Sequence, residues 1–295
     1  MNRFNLTRYA PTPSGYLHFG NLYSFVLTYH LAQTTGAKIL LRIDDLDKER
    51  VKPKYIQDIF DTLEYLEIPY DLGPTSLSSF KNEYSQHKRM DLYQAALTDL
   101  QANGHLFACD CSRSKILKMN PQGIYSGFCR DKNLSFDKPE CSWRIKTDTS
   151  QNINITTYLQ GQTTAALPAL LQDVVLKRKD KMPAYQLASL IDDIAFGVDL
   201  IVRGKDLWGS SLVQLYIANQ LGEKGNGFSQ AIFHHHPLLM GPNRQKLSKS
   251  AGDTSIRFLR LQGSSPEKIY QHLAKLLNYD GKVKNIGDFG FIVKS

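Results

Sequence analysis

Two short stretches of the chain combine residue types that suit phosphate chemistry. The first, 11–21, reads Pro-Thr-Pro-Ser-Gly-Tyr-Leu-His-Phe-Gly-Asn, and its two prolines and first glycine predict a loop. Apolar residues at a helical spacing between 19 and 33 predict that a helix follows directly. The N–H groups of a helix start, the imidazole of His18 and the open backbone at Gly20 favour a bound phosphate. Because a His-x-Gly in such a turn also occurs by chance, this stretch alone leaves both interpretations open.

The second stretch, 246–250, reads Lys-Leu-Ser-Lys-Ser and is followed by Ala-Gly. Two lysines three residues apart, Lys246 and Lys249, predict a mobile cationic arm that can cover a triphosphate and stabilise charge in a transition state. A solvated basic loop is the alternative for this lysine pair considered alone. The presence of both stretches in one chain favours a nucleotide site.

Together, the two stretches resemble the signature motifs of class I aminoacyl-tRNA synthetases of the glutamyl type. Residues 17–21 (Leu-His-Phe-Gly-Asn) resemble the HIGH motif, and 246–250 match KMSKS with leucine for methionine. Residues 8–15 (Arg-Tyr-Ala-Pro-Thr-Pro-Ser-Gly) are similar to the glutamate-binding entry of this subgroup, and 42–47 (Arg-Ile-Asp-Asp-Leu-Asp) to its second signature. The resemblance extends over nearly the whole chain.

The resemblance implies residue roles in an ATP-dependent ligase. Arg8 would bind the side-chain carboxylate of L-glutamate, and Asp44 its ammonium group. Because the bacterial glutamyl enzymes usually have glutamate where this chain has Asp44, the choice of amino acid stays open. A core aromatic for Tyr185 and a surface charge for Arg203 are the alternative interpretations. The implied residues are His18, Lys246 and Lys249 for catalysis; His18, Gly20, Asn21 and Lys249 for ATP; and Arg8, Tyr9, Ala10, Pro11, Thr12, Asp44, Tyr185 and Arg203 for glutamate.

Three cysteines, Cys109, Cys111 and Cys129, lie within 21 residues of one another and are candidate zinc ligands. Cys-x-Cys supplies two thiolates from one tight turn, and a tetrahedral structural site needs a fourth ligand. By ligand chemistry the candidates for the fourth position are Cys141, His105 and Tyr125, with Cys141 ranked first.

The resemblance reverses that ranking. Within the glutamyl-type family, the short enzymes that attach glutamate to queuosine hold zinc through Cys-x-Cys followed by Tyr-x-x-x-Cys. Cys109, Cys111, Tyr125 and Cys129 match this pattern, which implies one structural Zn²⁺ on these four residues and leaves Cys141 as a spare thiol. Buried thiols without a metal are the alternative.

Hydrophobic periodicity and turn residues predict the elements that position these side chains. The predicted strands are 7–10, 37–43, 142–146 and 198–203, and the predicted helices are 19–33, 53–66, 86–103, 206–221 and 264–279. Residues 69–80, rich in proline, glycine and serine, predict a loop. The three histidines at 234–236 predict a strand rather than a metal site, because successive side chains on a strand point to opposite faces.

This order of elements, with the resemblance, predicts an α/β fold: a Rossmann-like class I synthetase catalytic domain, split by a small zinc-containing insertion and followed by a short helical C-terminal segment. The predicted divisions are 1–103 and 168–258 for the two halves of the catalytic domain, 104–167 for the insertion and 259–295 for the C-terminal segment. The fifteen residues 281–295, which lie beyond the last predicted helix, leave no material for an anticodon-binding domain.

The charge and hydrophobicity of the chain indicate what kind of partner it binds. The 295 residues carry a net charge of +8 and a pI near 9.1, which favours an anionic partner. No apolar run approaches the ~20 residues of a membrane span, and the first residues have no apolar signal-peptide core. The sequence therefore predicts a cytoplasmic monomer that does not bind a membrane.

The predicted function is ATP-dependent activation of L-glutamate without tRNA, with Mg²⁺ accompanying ATP, and transfer of glutamate to queuosine in the anticodon loop of tRNA(Asp). One alternative is a truncated glutamyl-tRNA synthetase that charges a tRNA 3′ end. The other is a catalytically inactive paralogue that only binds tRNA.

Overall fold

The computed structural model describes residues 3–239 and 255–293, so the predicted loop at 246–250, with Lys246 and Lys249, lies outside the described residues. Along the described chain the strands are β1 Leu6–Tyr9, β2 Lys38–Leu41, β3 Leu106–Cys109, β4 Ser142–Ile145, β5 Asn152–Thr157, β6 Gly161–Ala166, β7 Val175–Lys177, β8 Leu200–Gly204 and β9 Ile232–His236. The α-helices are α1 Phe19–Thr35, α2 Pro53–Tyr65, α3 Leu77–Ser79, α4 Met90–Ala102, α5 Arg113–Met119, α6 Tyr185–Phe196, α7 Trp208–Gln220, α8 Asn226–Ser229, α9 Ile256–Leu261 and α10 Pro266–Leu276. Segments of 3₁₀-helix cover Gln86–Arg89, Ala169–Leu171, Lys205–Leu207, Gly222–Gly225 and Ile286–Val293, and a π-turn covers Phe80–Tyr84.

The chain forms two compact units. Unit 1 comprises Met1–Lys88, Asp199–Lys205 and His234–Ser295, and unit 2 comprises Arg89–Val198 and Asp206–Phe233. The predicted divisions after residues 103, 167 and 258 do not coincide with these limits, and they remain a prediction. Within residues 3–239 and 255–293, no helix is long and apolar enough to cross a membrane.

Unit 1 contains the predicted strand, loop and helix. Strands β1 and β2 pair in parallel, from Leu6 opposite Lys38 to Tyr9 opposite Leu41, and α1 connects them. The helix ends where Gly36 adopts a φ of 80°, a left-handed conformation that glycine accepts without steric cost. Strand β8 continues this arrangement, because the Asp199 N–H just before it donates to the Leu6 carbonyl at 3.1 Å. The result is the β-α-β core of an α/β fold.

The C-terminal segment of unit 1 packs against α1. His30, on α1, makes a 2.7 Å hydrogen bond through Nε2 to the Ile286 carbonyl, and burial lowers the pKa of this histidine. The rings of Tyr279 and Phe291 stack at 3.8 Å between centroids. Helix α10 begins after Ser265, whose hydroxyl accepts from the Lys268 N–H and so caps the helix.

Unit 2 contains an antiparallel sheet in the order β3-β4-β7, a β5-β6 hairpin, and a parallel pairing of β5 with β9 at Thr156–Ile232 and Thr157–Phe233. The predicted insertion at 104–167 contains β3 to β6, yet β4 pairs with β7 and β5 with β9, both outside that range. Strand pairing therefore continues across the predicted end of the insertion, which a sequence pattern cannot reveal because it carries no pairing information.

Three predicted boundaries were wrong in detail. The helix predicted at 86–103 starts as a 3₁₀ turn, and α4 begins at Met90. The predicted loop at 69–80 ends in α3 and the π-turn. The helix predicted to start at Asp206 begins at Trp208 instead, and its N-cap residue Leu207 has no side chain that could cap the helix. Asp206 lies instead within the 3₁₀ turn that precedes α7.

A buried ion pair joins α6 to the start of α4 in unit 2. Arg89 Nε and NH2 donate to the two carboxylate oxygens of Asp192 at 2.7 and 2.9 Å, and the Tyr93 hydroxyl donates to the same carboxylate at 2.6 Å. The Asp192 side chain is fully buried and the Arg89 side chain is 11% exposed. A charge this deeply buried is tolerated because its partner and hydrogen bonds replace water.

We therefore expect Asp192→Asn to lower the free energy of unfolding by about 3–5 kcal/mol, because it leaves the Arg89 guanidinium buried without its counter-charge. Urea denaturation followed by circular dichroism measures this change. The matched control is Asp99→Asn, which removes the exposed ion pair with Lys224 and should cost less than about 1 kcal/mol. Equal destabilisation by the two substitutions would contradict this account of unit 2.

Candidate active site and cysteine cluster

His18 is the N-cap residue of α1. Its Nδ1 accepts from the Gly20 N–H at 3.0 Å, and its own backbone N–H donates to Asn21 Oδ1 at 3.1 Å. Because Nδ1 is the acceptor, the neutral imidazole carries its proton on Nε2 and presents that N–H as a donor. The predicted histidine thus stands at a helix N-terminus with a fixed tautomer, the arrangement expected of a phosphate-binding donor.

The chain returns to this motif after residue 254. Ser255 forms an antiparallel bridge with His18, and the Ile256 N–H donates to the Leu17 carbonyl at 2.8 Å. The Ser255 hydroxyl then caps α9 by accepting from the Phe258 N–H at 3.1 Å. The first described residue after the predicted lysine loop is therefore held directly beside the histidine motif.

Arg8 and Tyr9, adjacent on β1, have different surroundings. The Arg8 side chain is buried and its NH1 donates to the Val202 carbonyl of β8 at 3.2 Å. Tyr9 is 1% exposed and its ring packs against Phe25 of α1 at 4.7 Å, and burial raises the pKa of its phenol. The side chain of Tyr9 therefore belongs to the core, and the backbone is what Tyr9 can offer a ligand.

The acidic signature after β2 contains two carboxylates with different partners. Asp44 forms a bidentate ion pair with Arg42, at 2.8 Å from Nε and 3.2 Å from NH2, and its backbone N–H donates to the Pro11 carbonyl at 3.1 Å. Asp45 instead accepts from the Ser85 hydroxyl at 2.6 Å and the Gln86 N–H at 2.8 Å. The Pro11 contact places Asp44 against the Pro11–Thr12 loop, whereas Asp45 holds the turn at 85–86.

Arg203 lies on β8 and is buried, near the three histidines of β9 that belong to unit 1. Burial, with the Arg203 cation as the next cause, lowers the pKa of His235 to about 3, and burial lowers the pKa of His234 to about 4. Both imidazoles are therefore neutral at pH 7. The sequence prediction that 234–236 form a strand is confirmed.

Tyr185, in unit 2, is the first residue of α6 and is 42% exposed. It is therefore not the core aromatic that was its alternative interpretation. The predicted alternative for Arg203, a surface charge, is also wrong, because that side chain is buried.

The predicted cysteine ligands meet in unit 2. The sulfur atoms of Cys109, Cys111 and Cys129 all lie within 4.8 Å of one another, and those of Cys111 and Cys129 are 3.6 Å apart. The Tyr125 hydroxyl lies 3.5 Å from the Cys109 sulfur and accepts from the Cys129 N–H at 2.9 Å. Cys141 is buried but does not belong to this group of mutually close ligand atoms among the described residues.

The spacing of these atoms fits a tetrahedral metal. In a tetrahedral site with zinc–sulfur bonds of about 2.3 Å, two sulfurs lie about 3.8 Å apart. The Cys111 and Cys129 sulfurs are 3.6 Å apart here, and the Tyr125 oxygen lies 3.5 Å from the Cys109 sulfur. The buried set of three thiols could therefore hold a metal ion, with the Tyr125 oxygen as the nearest predicted fourth ligand.

Arg144 and Arg130, which the sequence motifs did not single out as functional, support the cluster. The Arg144 guanidinium lies 4.0 Å from the centre of the Tyr125 ring. Burial raises the pKa of Cys109, but hydrogen bonds from Tyr125 and the Cys111 N–H, with the Arg144 cation, outweigh this and lower it. Arg130 pairs with the buried Asp173, which also accepts from Thr147. In the sequence, the position of Arg130 directly after Cys129 is the one signal that could have pointed to an arginine beside the cluster.

Comparison with known proteins identifies the family. Residues 6–287 match the family described as tRNA synthetases class I (E and Q), catalytic domain. The chain is 33% identical to the glutamyl-Q tRNA(Asp) synthetase of Symbiobacterium thermophilum over 91% of its own length and 85% of that protein. It is 36% identical to the glutamyl-Q tRNA(Asp) synthetase of Geobacter sulfurreducens, over 84% of this chain and 76% of that protein.

Longer relatives match the same region. The glutamate–tRNA ligase of Dehalococcoides mccartyi is 31% identical over 94% of this chain, which spans 57% of that ligase. The solved structure of a glutamate tRNA ligase from Elizabethkingia meningosepticum in complex with its amino acid superposes with a TM-score of 0.70, at 23% identity, over 85% of this chain and 53% of that one. This structural likeness establishes the fold of the chain. The chain therefore belongs to the family of class I aminoacyl-tRNA synthetases of the glutamate and glutamine type and carries their catalytic domain, which confirms the predicted enzyme class.

Proposed function

We propose that this protein activates L-glutamate with ATP and transfers it to queuosine in the anticodon loop of tRNA(Asp). The observation that carries the proposal is the share of each relative's length that this chain matches. The chain spans 85% and 76% of two glutamyl-Q tRNA(Asp) synthetases, at 33% and 36% identity, but 57% of a glutamate–tRNA ligase. The likeness is therefore to the shorter enzymes over most of their length.

The first step joins glutamate to AMP. An oxygen of the glutamate α-carboxylate attacks the α-phosphorus of ATP, the bond to the β-phosphate oxygen breaks, and pyrophosphate leaves with the electron pair. No proton transfer is required, so positioning and charge stabilisation dominate the catalysis. Mg²⁺ bound with ATP would neutralise part of the phosphate charge.

His18 stabilises that phosphate charge. Its Nδ1 accepts from the Gly20 N–H, so the proton of the neutral ring is on Nε2, the nitrogen that donates to a phosphate oxygen in this proposal, and the N-terminus of α1 adds a partial positive charge. Lys246 and Lys249 supply the second cationic contribution in this proposal.

Buried arginines and one carboxylate recognise glutamate. Arg8 and Arg203 are cations in unit 1 whose planar guanidinium groups can bind carboxylates through two parallel hydrogen bonds. Asp44 binds the substrate ammonium group. The bidentate ion pair with Arg42 holds this carboxylate in place beside the loop that contains Pro11.

The remaining predicted contacts come from backbone and a tyrosine. The Pro11 carbonyl already receives the Asp44 N–H, so the loop from Ala10 to Thr12 lies beside the carboxylate that binds the ammonium group. Tyr9 contributes its backbone rather than its phenol. Tyr185, exposed at the start of α6, contacts the rest of the substrate in this proposal.

In the second step a hydroxyl of queuosine attacks the activated carbonyl carbon. The bond from that carbon to the AMP phosphate oxygen breaks, AMP leaves with the electron pair, and the hydroxyl proton passes to the departing phosphate or to water. The product is an ester of glutamate on the modified base.

We also propose that Cys109, Cys111, Tyr125 and Cys129 hold one structural Zn²⁺. The three buried thiols at tetrahedral spacing and the phenol beside them support the assignment. The ion would cross-link β3 to the segment 125–129, a function that a small, loop-rich region needs because its own apolar core is limited.

A second candidate function is charging of an ordinary tRNA 3′ end, which the 31% identity to a glutamate–tRNA ligase over 94% of this chain favours. ATP–pyrophosphate exchange with glutamate tests the proposal. Exchange without tRNA, followed by transfer of glutamate to queuosine-containing tRNA(Asp) whose 3′ end has been oxidised with periodate, is the expected result. Exchange that needs tRNA, with transfer that periodate abolishes, would favour the second function.

The role of His18 gives a sharper prediction. A methyl group added at Gly20 would lie 2.8 Å from the His18 imidazole, so Gly20→Ala must displace the ring. We expect pyrophosphate exchange to slow by about tenfold or more, because a donor to the transition state is misplaced. The free energy of unfolding should change by less than about 1 kcal/mol, because loss of the cap and the better helix propensity of alanine nearly offset each other.

The matched control is Gly227→Ala in α8, where the added methyl group meets nothing within 4 Å and exchange should stay at the wild-type rate. Wild-type exchange in the Gly20→Ala protein would exclude the proposed role of the His18 imidazole.

For the metal, we expect one zinc per chain in the purified protein, measured by elemental analysis after dialysis against a weak chelator. Cys129→Ser should lose the metal and lower the thermal midpoint, since it removes a thiolate ligand at the centre of the cluster. Tyr125→Phe should bind zinc more weakly than the wild type. Cys141→Ser is the control and should keep its zinc; its loss there would mean that Cys141 is the fourth ligand.

A further inference from the structure

Phe128 is an exposed aromatic residue that the cysteine cluster holds in place. The residue is 43% exposed, although Cys129 beside it is fully buried and Tyr125, three residues earlier, is 8% exposed. The Cys129 N–H donates to the Tyr125 hydroxyl at 2.9 Å, which fixes the backbone on one side of Phe128. A phenylalanine kept at the surface by buried neighbours is a candidate contact for a partner.

Two lysines lie against the Phe128 ring. Lys132 Nζ is 3.5 Å and Lys115 Nζ, from α5, is 4.8 Å from the ring centre. Both lysines are exposed. We call these three residues, Phe128, Lys115 and Lys132, the Phe128 platform.

The segment of the chain that contains the platform carries an excess of positive charge. Residues 104–146 contain eight lysines and arginines against four acidic residues, a net +4, which is half of the +8 of the whole chain. Helix α5 also exposes two apolar side chains, Leu117 and Met119, at 43% and 44%. A surface that mixes flat apolar area with excess positive charge complements nucleotides, which combine stacking bases with anionic phosphates.

We propose that the Phe128 platform binds an unpaired nucleotide of the tRNA anticodon loop, with the base stacked on the Phe128 ring and the phosphodiester next to the Lys115 and Lys132 ammonium groups. The choice of the anticodon loop rests on the proposed function, in which that loop is the acceptor of glutamate. An aromatic ring needs an unstacked base, which a loop offers and a regular RNA duplex does not.

The nucleotide can displace the lysines from the ring. An exposed cation–π contact is worth roughly 2- to 5-fold in an equilibrium constant, whereas stacking of a base on an aromatic side chain is worth roughly 5- to 150-fold in affinity. The displaced ammonium groups, on flexible stems, stay within reach of the adjacent phosphate. The lysines therefore exchange a weak contact with the ring for a stronger one with the RNA.

The test is binding of a fluorescently labelled anticodon stem-loop RNA, measured by anisotropy at several salt concentrations with the full-length, zinc-loaded protein. Phe128→Ala should weaken binding by roughly 5- to 150-fold, and Phe128→Tyr, which keeps the ring, should stay within about twofold of the wild type. Lys115→Gln and Lys132→Gln should each reduce the slope of log affinity against log salt by about 0.7. Leu159→Ala, an exposed apolar residue at the β5-β6 turn of the same unit, is the control and should bind as the wild type does.

Further measurements separate this inference from the proposed function. Pyrophosphate exchange, which needs no RNA in the proposed function, should be normal in every platform variant. Failure of exchange in the wild type would overturn the proposed function, whereas normal exchange with unchanged RNA binding by Phe128→Ala would overturn the platform alone. Equal loss of affinity for a tRNA acceptor minihelix with a free 3′ end would overturn the assignment to the anticodon loop.

If Phe128→Ala loses zinc, the comparison moves to Phe128→Leu and Phe128→Tyr at equal zinc content. Weaker binding by the leucine variant than by the tyrosine variant supports stacking, and equal binding by the two variants overturns it.

Discussion

The hydrogen bond from the Gly20 N–H to His18 Nδ1 is the contact on which the geometry of the candidate active site depends. The first N–H groups of a helix have no acceptor within the helix, and this bond provides one for Gly20. It also sets which ring nitrogen of His18 carries the proton. The same residue bridges to Ser255, so the loop after β1 and the start of α9 are both fixed to it. The imidazole that caps the helix is thus the same group that we propose as a phosphate donor.

Buried aspartates hold the surrounding backbone. Asp44 pairs with Arg42, Asp45 holds the turn at 85–86, and Asp58 of α2 pairs with Arg260 of α9. Burial raises the pKa of Asp58, with Arg260 opposing this shift, so the carboxylate depends on its arginine partner to stay ionised. Each ion pair joins segments that local sequence does not connect, and a substrate site made of loops needs such cross-links to keep its geometry.

The sequence predicted what local rules control. Hydrophobic periodicity and turn residues predicted α1 and α10, and in the structure Gly36 ends the first helix and Ser265 caps the second. The features that the sequence did not predict depend on contacts between residues far apart in the chain. The 3₁₀ turn at Gln86 follows from its bond to Asp45, 41 residues earlier, and Tyr9 faces the core because it packs against Phe25. Periodicity carries no information about such partners.

The same distinction applies to the metal ligands. Ligand chemistry favoured Cys141, since a thiol is a commoner zinc ligand than a phenol. In the fold, the backbone of 125–129 places the Tyr125 oxygen 3.5 Å from the Cys109 sulfur, whereas Cys141 lies outside the group of close sulfurs. This geometry supports the proposal of Tyr125 as the fourth ligand. Residue type limited the choice to a few candidates, and the path of the chain sets which of them lie beside the thiols.

Charge balance links the cysteine cluster to the surface around it. A divalent ion with three thiolates and a neutral phenol carries a net charge of about −1, which would repel the phosphates of RNA. The Arg144 guanidinium, 4.0 Å from the Tyr125 ring centre and buried, offsets that charge at close range. The field at the surface is then set by exposed lysines such as Lys115 and Lys132. An arginine inside the unit would therefore let the proposed metal site and the proposed RNA-binding surface occupy the same small region.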